Sequence, residues 1–89
     1  MIRKSITIPN KYGLHTRAAA KLVDISRKFA SKIELVSAKE TSDCKSIMAL
    51  ITLGAKKGSI FELVVAGSDE AEALEAVTQL ITGCFGEKE

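Results

Sequence analysis

The sequence has no tryptophan, one proline, one histidine and few aromatics: Tyr12, Phe29, Phe61 and Phe85. Its core must therefore be mostly aliphatic, and no aromatic pair decorates a strand to stack the bases of RNA. Charge of one sign is scarce as well. A formal net charge of +2 falls short of the basic stripe that marks a nucleic-acid partner, so none is expected. The two cysteines, Cys44 and Cys84, match no metal-ligand spacing. A disulfide between them is open on arithmetic alone. Behind Met1-Ile2-Arg3-Lys4 there is no apolar export signal, so two reduced thiols and a cytoplasmic location are expected. No apolar stretch approaches the roughly 20 residues of a membrane span, and membrane insertion is not expected.

What is present is ordinary globular material, 46% hydrophobic and 27% charged over 89 residues. That length suits one hydrophobic core and is short for two, so a single domain over 1–89 is expected, as a monomer. Along the chain, Ile2 to Ile8 alternate as a half-buried strand, with Lys4 the exception. Pro9 and Gly13 then punctuate. From Thr16 the period becomes helical, with Ala19, Leu22, Val23, Ser26, Phe29 and Ala30 on one side. Thr16 is the expected N-cap. Lys32 to Val36 reads as a second strand, and the polar run 37–43 as a turn with a short third strand. Ser46 caps a short helix from Ile47 to Leu53, which Gly54 stops. Ile60 to Ala66 is apolar on both faces apart from Glu62, the pattern of an interior strand. Asp69 and Glu72 suggest a capping box for a last helix carrying Leu74, Val77, Leu80, Ile81 and Cys84. Gly83 and Gly86 close that helix, and the tail 86–89 is expected to fray. The order β-α-β-β-α-β-α predicts an α+β fold, helices on one side of a mostly antiparallel sheet.

The lone histidine, His15, stands in Gly13-Leu14-His15-Thr16-Arg17, where strand gives way to helix. Exposed N–H groups of a helix start, a guanidinium and a nucleophilic imidazole at one point make a site for a phosphoryl group. Imidazole is largely neutral and nucleophilic near neutral pH. The other reading is an incidental polar residue at a loop–helix junction. Acid–base catalysis is poorly supplied: no acidic residue lies within several positions of His15, and Asp24 is two turns along the helix. Partners for a hydrolytic triad or a metal are equally lacking, and no cofactor is expected.

Gly13-Leu14-His15-Thr16-Arg17-Ala18-Ala19 resembles the active-site motif of HPr, the histidine-containing phosphocarrier family of the bacterial phosphoenolpyruvate:sugar phosphotransferase system. Lys45-Ser46-Ile47-Met48-Ala49-Leu50-Ile51-Thr52-Leu53-Gly54-Ala55-Lys56-Lys57-Gly58 looks like the family's regulatory-serine region, at the usual separation. The resemblance implies an open-faced β-sandwich of four antiparallel strands with three helices on one face. It implies that His15 accepts phosphoryl on Nδ1 from enzyme I and hands it to enzyme IIA domains. Arg17 matches the phosphate-stabilising arginine, and Ser46 the target of HPr kinase/phosphorylase. Thr16, Ala20, Ile47, Met48 and Ile51 would form the docking patch, rimmed by Arg17, Lys21, Lys45 and Arg27. Such a protein is a transfer partner more than an enzyme. The family most often has proline where this chain has Ala18, a departure that keeps open a nitrogen-type or purely regulatory paralogue. From a different class, a small α+β ligand-binding regulatory module remains the other reading.

Overall fold

The four stretches read as strands form one sheet. In the computed structural model, which describes residues 1–87, β1 spans Ile2–Thr7, β2 Lys32–Val36, β3 Thr41–Asp43 and β4 Ile60–Ala66. The sheet order is β1-β4-β2-β3, antiparallel throughout. β4 is interior, as its two-sided apolar pattern requires, and even outward-facing Val64 is buried. Register sets Ile6 opposite Phe61, and Ile33 and Leu35 opposite Val65 and Leu63. These side chains share the inner face and form the floor of the core.

The helical stretches cover that floor: α1 Thr16–Ser26, α2 Ile47–Leu53 and α3 Glu70–Thr82, followed by a 3-10 turn at Cys84–Gly86. α1 buries Ala18, Ala19, Leu22 and Val23, and α3 buries Ala73, Val77 and Ile81. Each large aliphatic side chain fully removed from water contributes about 2 kcal/mol. This is the open-faced sandwich of four strands and three helices. Among the described residues no helix is long and apolar enough to cross a membrane. Both thiols are free; burial pushes that of Cys44 up to about 12, with Asp43 and Glu34 adding to the effect.

α2 has the bounds its sequence signals indicate. Ser46 Oγ accepts from the Ala49 N–H at 3.2 Å, and Gly54 ends the helix in the left-handed region with φ of 59°. Two other expected caps differ. His15, not Thr16, is the N-cap of α1: its carbonyl accepts the Ala19 N–H at 2.8 Å, without a side-chain capping bond. The helix starts one residue early because Leu14 is drawn into the core, its N–H on the Ala55 carbonyl at 2.9 Å. Asp69 is the backbone N-cap of α3, but its carboxylate leaves the helix. It accepts from Ala30 N at 2.8 Å, from Ser31 N at 2.9 Å and from the Ser31 hydroxyl. Backbone donors of the α1–β2 turn outcompete the expected capping box with Glu72. Gly86 and Glu87, the first part of the tail expected to fray, lie in a hydrogen-bonded turn. Lys88 and Glu89, the rest of the tail expected to fray, lie outside the described residues.

The Ser31 hydroxyl, with the N–H groups of Ala30 and Ser31, holds the Asp69 carboxyl below the usual aspartate range. A carboxylate whose folded value is depressed contributes stability above its unfolded value, about 3.9. That contribution disappears as pH falls through the lower, folded value. Denaturation midpoints measured between about pH 6 and about pH 2 should therefore drop less steeply in acid for Asp69→Asn than for the wild type.

Candidate phosphoryl-acceptor site

The site begins where β1 leaves the sheet. Ile8 donates to the Ser59 carbonyl at 2.9 Å, and its own carbonyl receives the Gly58 N–H at 2.8 Å. Asn10 is fully buried, and its Nδ2 donates to the Gly13 carbonyl at 2.6 Å, closing a turn with the Gly13 N–H on the Asn10 carbonyl. Gly13 has φ of +65°, and a Cβ there would stand 2.4 Å from the Ala55 carbonyl oxygen. Only glycine suits both the conformation and the contact. The loop is thus pressed onto the segment after α2, and His15 emerges half-buried at the start of α1.

The first N–H groups of a helix have no intrahelical partner, and the first turn of α1 carries no acidic side chain. The N-terminus of α1 therefore presents positive potential beside the imidazole. Tyr12 meets the His15 ring edge to face, centroids 6.2 Å apart. A shallow cleft of about 300 Å³ opens there, lined by His15, Tyr12, Thr16, Ile51, Ala55 and Lys56 among others.

The expectation that no acid orients the imidazole is overturned. His15 Nε2 is hydrogen-bonded to Glu87 Oε2, and the other carboxylate oxygen accepts from Asn10 Nδ2 at 2.9 Å. Asn10 holds the Glu87 carboxyl below the usual carboxylate range, aided by His15 and nearby Lys21 and opposed by burial. Three consecutive residues in the left-handed region bring the chain back to His15: Cys84 (φ 56°), Phe85 (φ 55°) and Gly86 (φ 78°). For non-glycine residues that conformation costs on the order of 1 kcal/mol each. The fully buried Phe85 ring and the Lys21 ammonium, on the Phe85 carbonyl at 2.7 Å, hold the turn. No sequence signal marks Glu87 or Asn10 as site residues, since the contact with His15 spans 72 positions.

Of the residues selected from sequence, His15, Thr16 and Ile51 share the cleft. Met48 is 68% exposed on α2, Ile47 packs partly against the core, and Ala20 is half-buried one turn along α1. Arg17 is exposed and makes no hydrogen bond through its side chain among the described residues. The cationic rim is largely engaged in backbone contacts. The Arg27 guanidinium donates to the Lys45 carbonyl at 3.1 and 3.3 Å, and Lys45 Nζ to the Phe29 carbonyl at 2.8 Å. These bonds tie the end of α1 to the start of α2, next to Ser46.

Residues 2–83 match the family model described as PTS-HPr, the PTS HPr component phosphorylation site. The chain is 45% identical to the phosphocarrier protein HPr of Neisseria meningitidis serogroup A over 89 residues, the full length of both. It is 42% identical to that of Cupriavidus necator, again over the full length of both. A crystal structure of HPr from Thermoanaerobacter tengcongensis superposes with a TM-score of 0.94 at 39% identity, covering both chains completely.

The Gly13 contact generates a direct test. Gly13→Ala should destabilise the fold by about 3 kcal/mol, as backbone must move and the residue cannot relax from positive φ. Urea denaturation measures the loss, whereas a change within about 0.5 kcal/mol would mean that the Ala55 contact is readily relieved.

Proposed function

This chain belongs to the HPr family of phosphotransferase-system phosphocarriers, and we propose that its His15 accepts phosphoryl from enzyme I and delivers it to enzyme IIA domains. The observation that carries this reading is the half-buried imidazole at the N-terminus of α1, open to a cleft. The Nδ1 lone pair attacks the phosphorus of the phosphorylated donor, and the electron pair of the broken bond leaves with the donor group. The attached group is dianionic. N–H groups of the first turn of α1 and the Arg17 guanidinium each stabilise it by about 1 kcal/mol. Ala18, fully buried in that turn, keeps an N–H that the family's proline would lack.

Exposed Met48 and Ile51, with Ile47, Thr16 and Ala20, supply an adaptable docking patch next to the cleft. A carrier must release each partner, so these complexes are small and transient. Arg17 is the rim cation best placed to speed encounter with an acidic partner face, an effect on rate more than on affinity.

Ser46 is the regulatory site in this reading, modified by HPr kinase/phosphorylase. A phosphoserine there adds about −1.5 to −2 charges to a capping position, which tolerates them, so its effect falls on partners and not on folding.

Incubation with phosphoenolpyruvate and enzyme I should give an acid-labile, base-stable phosphate that His15→Ala abolishes. A label that survives His15→Ala would sink the assignment. Ser46→Asp should slow acceptance from enzyme I while leaving the circular dichroism unchanged. Transfer rates equal to the wild type's at low salt would count against that role.

A further inference from the structure

We propose that Asn10 and Glu87 are a positioning pair that dictates which ring nitrogen of His15 takes the phosphoryl group, and that they hold the ring's charge afterwards. This deepens the His15 reading above and rests on it. Asn10 comes from the loop before α1 and Glu87 from the turn after α3, so two distant segments close on one imidazole.

The orientation of Asn10 follows from its neighbours. Its Nδ2 has two hydrogens and faces two acceptors, the Gly13 carbonyl at 2.6 Å and Glu87 Oε1 at 2.9 Å. The opposite amide orientation would set Oδ1 against both oxygens. The observed one is retained although it leaves buried Oδ1 without a partner among the described residues. Asn10 therefore fixes the carboxylate through one oxygen and leaves the other for His15. An ionised carboxylate only accepts hydrogen bonds, so His15 Nε2 must carry the hydrogen. In the neutral ring the lone pair then belongs to Nδ1. The nearby cations, Lys21 beside Glu87 and Lys56 across the cleft, have no acceptor to offer a ring N–H.

The same contact changes character during transfer. As Nδ1 bonds to phosphorus and the donor's phosphorus–nitrogen bond breaks, Nε2 keeps its hydrogen and the ring becomes a cation. A neutral ring facing a carboxylate becomes an imidazolium facing one, a stronger, charge-assisted bond. Glu87 thus favours the phosphorylated ring without touching the phosphoryl group. It is a positioning residue, acting through the imidazole.

Phosphoramidate, a small phosphoryl donor, tests this without enzyme I, since phosphorus–nitrogen NMR distinguishes Nδ1 from Nε2 phosphohistidine. The wild type should show Nε2 protonated before reaction and phosphoryl on Nδ1 after it. Glu87→Ala should give a mixture of the two adducts, and its acceptance from enzyme I should fall about tenfold. Wild-type selectivity in Glu87→Ala overturns the proposal. So does a protonated Nδ1 in the unmodified, neutral wild-type ring, a measurement that needs no variant. If phosphoramidate selects Nδ1 but enzyme I leaves His15 unlabelled, the relay is wrong and the positioning pair stands.

Discussion

The close approach of Gly13 to the Ala55 backbone is the contact on which the rest of the site depends. A missing Cβ lets the loop before α1 lie flat on the segment after α2, with Leu14 hydrogen-bonded to Ala55 and sealed into the core. That seating decides where α1 starts, which makes His15 its N-cap and leaves the imidazole half out of the core. It also brings α2 alongside, so that Ile51 and Lys56 line one cleft with His15.

Around that seating the charges are arranged with an economy of groups. A helix N-terminus with no acid in its own first turn faces the imidazole from one element, and a carboxylate from the far end of the chain takes Nε2. Two left-handed non-glycine residues are tolerated to deliver that carboxylate, their cost offset by burial of Phe85. Positive potential and a fixed acceptor thus act on the two sides of one ring. One ring nitrogen is thereby engaged, and no hydrogen bond engages the other among the described residues.

Local signals were readable where local forces decide. Ser46 and Gly54 bound α2 because capping hydroxyls and left-handed glycines act within a few residues. β4 reads as interior because both its faces are apolar. Thr16 and Asp69 carry equally good local signals and yet do not cap through their side chains. Leu14 is taken by the core in one case. In the other, the unpaired N–H groups of Ala30 and Ser31 claim the carboxylate. Arg27 and Lys45 likewise look like free rim cations in the sequence, but carbonyls from neighbouring turns engage them.

By itself, the sequence determined the order of elements, the aliphatic core and the His15 and Ser46 motifs, since periodicity, capping and family spacing are properties of short stretches. Tertiary structure alone decided that Glu87 meets His15, that Asn10 holds Glu87, and that the cleft opens between α1 and the segment after α2. Those contacts join residues as many as 77 positions apart. Their partners are selected by how the core closes, and no local pattern in the chain records that geometry.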